Sequence, residues 1–207
     1  MKTVVLPAYE LEKLSHALQV LKDGGLVAFP TDTVYGLGAM AFNPQAIVRL
    51  YQAKGRSSDN PIPVLIASAT ELTRIALKIS PMARQLAARF WPGPVTLVVW
   101  RRLSLPKEIS ATPTVGVRVP DHALAQALLT AAGPLAVTSA NRSNQPTSRT
   151  AAQVLDGLDG RIDLILDGGK TPGGEPSTVV DCTQAIPQIL RPGPIREQEI
   201  LESLTKT

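Results

Sequence analysis

From its amino end the chain first falls into a helical rhythm. Leu11, Leu14, Leu18 and Leu21 recur every three or four residues among polar positions, and the pattern stops at Gly24-Gly25. This spacing predicts an amphipathic helix over 9–22, ended by glycine. The unbroken apolar run Leu26-Val27-Ala28-Phe29 predicts a buried strand. Asn43-Pro44 is a cap followed by a first-turn proline, so a helix is expected over 44–53. A short strand at 63–66 follows, and Ser68 and Ser80-Pro81 open helices that reach about Lys78 and Phe90. The β-branched runs 96–100 and 115–119 predict strands. Beyond them come a helix over 122–131 capped by Asp121, a strand at 135–138 and a short helix over 150–155. Strands at 162–166, 178–182 and 188–190 and a helix over 197–204 complete the pattern. Strands and helices interleave with no internal repeat and no Gly/Ser linker. The expectation is one α/β domain over residues 1–207, a twisted mixed sheet flanked by helices.

Composition narrows this picture. The 207 residues are 44% hydrophobic and 18% charged, enough apolar material for a sizeable core. No apolar stretch reaches the ~18 residues that span a bilayer, and the amino end lacks a basic segment followed by an apolar one. Neither membrane insertion nor secretion is therefore expected. The single cysteine, Cys182, fits a reducing cytoplasm and reads as core, and two histidines and one cysteine make a His/Cys metal cage unexpected. The net charge of +4 and pI near 9.4 point weakly to anionic partners, because the basic residues are scattered. The 18 prolines, many at strand ends, predict rigid, shaped loops around the sheet.

The candidate chemistry gathers in those loops. In "GGLVAFPTDTVYGLGAM" a strand breaks at Pro30 into Thr31-Asp32-Thr33 and returns through Tyr35, Gly36 and Gly38. Ser139-Ala140-Asn141, Ser177-Thr178 and Arg191-Pro192-Gly193 lie at the ends of other apolar runs. One such loop reads as a turn; four at the ends of strands point to a shared small-molecule pocket. In "QAKGRSSDNP", Lys54 and Arg56 flank Gly55 after a predicted helix. A polyphosphate site and a helix C-cap both fit that stretch, which lacks the glycine spacing and the ending of a Walker A loop. Arg118 lies within a β-branched strand, where it needs a partner or a ligand if buried and neither if its face is exposed. Arg191 admits the same two readings. His16 and His122 read as surface residues, and Trp91 and Trp100 as packing. Asp32, Glu175 and Asp181 are possible oxygen ligands for Mg²⁺ whose spacing dictates nothing.

Seven ordered stretches carry a resemblance: "PTDTVYGLG", "AKGRSSDNP", "FWPGPVTLVV", "VGVRVPDH", "TSANRSNQPT", "PSTVVD" and "ILRPG". From about residue 8 to 200 the chain resembles the YrdC-like family of threonylcarbamoyl-adenylate synthases, in its short, single-domain TsaC type. The resemblance implies a mixed sheet with a large concave basic cavity. It implies a nucleotidyltransferase that joins L-threonine, bicarbonate and ATP into L-threonylcarbamoyl-adenylate and releases pyrophosphate. Mg²⁺ would accompany the ATP. Partner proteins would pass the threonylcarbamoyl group to tRNA in the cytoplasm, a tRNA modification, and binding of RNA itself is also in keeping with the family.

By the same resemblance, Thr33, Arg118, Ser139 and Ser177 would hold threonine, with the arginine on its carboxylate. Lys54, Arg56, Asn60, Thr114, Asn141, Thr147 and Arg191 would line the nucleotide, and Lys54, Arg56 and Arg118 would be the catalytic cations. Gly36 and Gly38 would leave room behind Thr33. Longer members of the family carry a histidine where this chain has Leu65, Pro176 alters the loop before "STVVD", and "RSNQPTS" departs from the glycine-bearing form. The rival reading is a paralogue of the same fold that binds RNA or nucleotide without catalysis.

Overall fold

The structure is a computed structural model that describes residues 2–8 and 11–205. The first predicted helix is present as α1 (Leu11–Lys22), and its first two expected positions, 9 and 10, lie outside the described residues. Around it run β1 (Val4–Pro7), β2 (Val27–Phe29) and β3 (Gly36–Met40). Then come α2 (Pro44–Lys54), β4 (Val64–Leu65), a 3-10 turn at Ala69–Glu71, α3 (Leu72–Ile75), β5 (Ala76–Lys78), α4 (Pro81–Phe90) and β6 (Val95–Arg101). A second 3-10 turn at Lys107–Ile109 leads into β7 (Thr114–Arg118), α5 (Ala123–Ala132), β8 (Leu135–Ser139) and α6 (Ala151–Leu158). The order closes with β9 (Leu164–Asp167), β10 (Thr178–Asp181), β11 (Gln188–Arg191) and α7 (Glu197–Thr205).

Caps set several helix starts. The side chain of Asn43 accepts from Ala46 N, Ser80 from Ala83 N and Thr150 from Gln153 N, and proline opens α2 and α4. The expected cap at Asp121 is displaced by one residue: His122 holds the cap position, and the Asp121 amide is drawn off to Asp32 Oδ1.

All the strands join one mixed sheet in the order β1-β9-β2-β3-β8-β4-β7-β6-β10-β11, with β5 on β6. β1 and β2 lie parallel to β9, β4 to β7 and β10 to β6, while β3, β8 and the β6–β7 pair run antiparallel to their partners. On one face Leu37, Val64, Leu97, Val117 and Ile165 form a core with side chains of α2, α4 and α6. On the other face α1 and α5 bury Val27, Phe29, Leu135, Val137 and Leu164. There Pro63, Val98, Gly116 and Val179 line a cavity instead of packing beneath a helix. That uncovered stretch of sheet is where the site lies.

Three expectations are corrected. The helix expected from Ser68 to Lys78 is only a turn plus α3, because the chain extends at Ala76 to pair with β6, where Arg102 donates to the Thr73, Ile75 and Ala76 carbonyls. The glycine-rich return 36–40 is a central strand. Its glycines serve packing: a Cβ on Gly36 would lie 2.7 Å from Val137 Cγ1, and one on Gly38 2.9 Å from Phe29 Cε1. β1, two of whose valines are exposed, carries little buried pattern and finds its place by pairing with β9.

Candidate functional site

The cavity encloses about 260 Å³. Its walls include Thr31, Thr33, Arg56, Thr96, Arg118, Ser139, Ser177 and Arg191, with Leu65, Val98, Gly116, Val137, Val179 and Leu190 as the apolar part. Six residues expected at a common site, Thr33, Arg56, Arg118, Ser139, Ser177 and Arg191, thus meet on one hollow, although they stem from six separate parts of the sequence. Ser177 corrects one detail, since it precedes β10 and lies at the start of a strand.

Arg118 closes β7 and is only 5% exposed, which disposes of the exposed-face reading. Its Nε donates to Gly93 O at 2.9 Å, one terminal nitrogen donates to Thr33 Oγ1 at 3.0 Å, and the other is paired with the Asp32 carboxylate. Asp32, a candidate metal ligand on sequence grounds, is thereby engaged as a counter-ion. Asp181 is likewise committed, to Thr183 N and Oγ1. Among the described residues no group of three His, Cys, Asp or Glu side chains is placed to hold a metal.

The threonines of the first loop have a fixed polarity. Thr31 Oγ1 lies 2.7 Å from the Val34 carbonyl, which only accepts, so the Thr31 proton goes there. Thr33 Oγ1, 3.0 Å from Thr31 Oγ1, must then be the donor of that pair while it accepts from Arg118. One lone pair of Thr33 is left for the cavity. It suits a ligand N–H or O–H rather than a carboxylate.

Across the hollow, Arg191 donates through Nε and a terminal nitrogen to Ser177 O, at 3.1 and 2.7 Å, and reaches Ser177 Oγ at 3.2 Å. Ser177 Oγ is 2.8 Å from Thr96 Oγ1. Arg56 clips its own loop, with Nε to Asn60 O at 3.0 Å and a terminal nitrogen to Pro61 O at 3.2 Å. Burial lowers the pKa of all three guanidiniums; Arg191 lowers Arg118's further, and Arg56 lowers Arg191's. Cations held this close favour an anion between them.

Lys54 faces elsewhere. Only 2% exposed, it ends α2, and its ammonium donates to the Ser139 and Asn141 carbonyls, tying the helix to the loop after β8. Burial, aided by Arg56, brings its pKa down to about 7. The C-cap of α2 is Gly55 in the left-handed region (φ 61°), so neither the Lys54 nor the Arg56 side chain is the cap. Lys54, Asn141 and Thr147 line a second hollow, of about 600 Å³, together with Arg142 and Gln153. Asn141 Nδ2 donates to Arg142 O and Gln145 O, while its buried Oδ1 has no hydrogen-bond partner among the described residues. Asn60 meets the site through its backbone, and Thr114 pairs its hydroxyl with Thr112 Oγ1, outside both linings.

Sequence reasoning put the loop of Thr31 at the pocket but missed Thr96 and the pairing of Asp32. Thr96, a lone hydroxyl in the β-branched run "VTLVV", carried a signal, because a polar side chain there needs a reason. Trp91 packs as expected, its indole donating to Val95 O, but Trp100 is 37% exposed and does not. His122 is half-buried, its Nδ1 without a hydrogen-bond partner among the described residues, and is not a free surface residue. Cys182 is core, its thiol pushed up to about 12 by burial.

A family model described as telomere recombination, covering Sua5, YciO and YrdC, matches residues 19–193. The chain is 44% identical over 191 residues to the threonylcarbamoyl-AMP synthase of Bacillus subtilis, covering 91% of this chain and 55% of that protein. It is 41% identical to a putative threonylcarbamoyl-AMP synthase of Mycobacterium tuberculosis, over 91% of this chain and 87% of that one. The structure of P. abyssi Sua5 complexed with L-threonine superposes with a TM-score of 0.93 at 41% identity, over 99% of this chain and 60% of that one. E. coli YciO superposes at 0.84 with 25% identity, over 96% and 98%. The chain spans about half the length of the Bacillus relative. It belongs to the Sua5/YciO/YrdC family.

Proposed function

We propose that this chain is an L-threonylcarbamoyl-adenylate synthase acting on L-threonine, bicarbonate and ATP. The observation that carries the reading is one hollow that holds three arginines and a set of Ser and Thr hydroxyls, among them Thr33, which accepts from the Arg118 guanidinium and keeps one lone pair for a ligand. An α-amino acid brings a carboxylate for Arg118 and an amine for Thr33. A triphosphate brings about four negative charges for Arg56 and Arg191. A relative named threonylcarbamoyl-AMP synthase and a Sua5 structure with L-threonine support the same assignment.

The reaction needs no protein nucleophile. The threonine amine adds to CO₂ derived from bicarbonate and loses a proton; a carbamate oxygen then attacks the α-phosphorus, and pyrophosphate leaves with the bond electrons. The chain's own contribution is positioning and neutralisation of charge on the phosphoryl oxygens. Mg²⁺ enters as part of the ATP substrate. Ser139 and Ser177 orient the amino acid, and Asn60, Asn141 and Thr147 take the nucleotide; Thr114, turned to Thr112 outside both hollows, has no part in this reading. Lys54 acts from behind by fixing the carbonyls of the Ser139–Asn141 turn. The product is handed to tRNA-modifying proteins in the cytoplasm.

The test is incubation with labelled L-threonine, bicarbonate, ATP and Mg²⁺, followed by chromatography for the adenylate. Threonine-dependent pyrophosphate release with a labelled adenylate supports the assignment. Binding of RNA or nucleotide with no adenylate formed would make the chain a binding paralogue instead.

A further inference from the structure

Asp32 sits behind Arg118 rather than on the cavity wall. Its side chain is 11% exposed, and Oδ1 serves both the Arg118 guanidinium and the Asp121 amide, the latter at 3.1 Å. The guanidinium is thus drawn toward its carboxylate from one side, toward Gly93 O from a second and toward Thr33 from a third. Two effects on an incoming carboxylate follow, of opposite sign. The bond to Oδ1 orients the guanidinium, which helps binding. The negative charge, roughly 6–8 Å from where a ligand carboxylate would lie across the guanidinium, opposes binding, because a charge at that separation still acts strongly in a partly buried site.

We infer that Asp32 is a positioning residue acting through Arg118, one that fixes the guanidinium while holding down its affinity for carboxylate. A grip tuned this way binds an amino acid and still releases the charged product. The inference rests on the reading of Arg118 as the amino-acid anchor.

Two substitutions separate the effects. Asp32→Asn keeps the shape and the Oδ1 acceptor and removes the charge, so L-threonine binds about ten-fold more tightly by calorimetry. The KM for threonine falls, and that for ATP does not. Asp32→Ala removes orientation and charge together and weakens threonine binding about ten-fold or more. A purely structural role would lower the melting temperature of both variants and weaken threonine binding in both. That result, or an unchanged affinity in Asp32→Asn, overturns the inference. If Asp32→Ala fails to fold, Asp32→Asn against wild type decides alone. If wild-type protein binds no L-threonine, the reading of the site itself fails and takes this inference with it. If wild type binds and Asp32→Asn binds no tighter, only the inference fails.

Discussion

Replacing Lys54 by Met keeps a stem of similar length and deletes the nitrogen that joins α2 to the turn after β8. In the folded chain that nitrogen is buried against two carbonyls and titrates at about 7, where a free lysine titrates at 10.5. Between those values the unfolded chain carries the proton and the folded chain does not, so folding releases one proton. Alkaline solution favours the proton-releasing direction. The contribution is therefore absent below pH 7, grows through the interval and is complete above 10.5. The slope is about 1.4 kcal/mol per pH unit, or roughly 2.7 kcal/mol from pH 7.5 to 9.5. For a chain of this size that corresponds to about 5–10 °C in Tm. Lys54→Met lacks the titration, although it leaves the Ser139 and Asn141 carbonyls short of a donor. Urea unfolding of both proteins at pH 7.5, 8.5 and 9.5 should show wild type gaining on the variant at each step. Stabilities that run in parallel across the three pH values would mean that Lys54 titrates like a surface lysine, and the account of its burial would be wrong.

Arg118→Ala strands the Asp32 carboxylate and should cost about 3–5 kcal/mol. The double variant with Asp32→Ala should regain about 2 kcal/mol in thermal unfolding without regaining threonine binding; no recovery would mean that the two groups are not coupled. Ser177→Ala removes the partner of Thr96 Oγ1 and one contact of Arg191, so the KM for threonine should rise about ten-fold at a stability cost of about 1 kcal/mol. A Cβ on Gly193 would lie 2.4 Å from Thr178 N and 2.6 Å from Pro176 O, both backbone atoms. Gly193→Ala should therefore destabilise by about 1–3 kcal/mol, and a loss under 0.5 kcal/mol by denaturant titration would contradict that packing.

Much of the fold is legible in the sequence because its signals are local. Asn43-Pro44, Ser80-Pro81 and Thr150 begin helices through bonds to amides three residues on, and the β-branched runs around Leu97 and Val117 are strands. What escaped depends on distant partners. β3 is glycine-rich because Phe29 and Val137 need its space, and nothing near Gly36 or Gly38 in the sequence says so. β5 interrupts a helical pattern because β6 offers an edge to pair with. At the site, residue types and strand-end positions pointed to Thr33 and Ser139, while Arg118 and Arg191 each admitted two readings until the family resemblance favoured one. The acceptance of Arg118 by Thr33, the commitment of Asp32 and the burial of Lys54 are settled only by atoms tens of residues away in the chain.

β10 is bonded to the rest of the sheet through β6 alone, and β11 through β10 alone. The hairpin carrying Ser177 and Arg191 therefore hangs from a single seam. Val180 and Cys182 still pack it into the core, but in backbone bonds it is the end of the sheet that opens at least cost. Its amides should exchange with deuterium sooner than those of β3 or β8, and a ligand bridging Arg118 to Arg191 should narrow that gap by tying the end of β11 to β7.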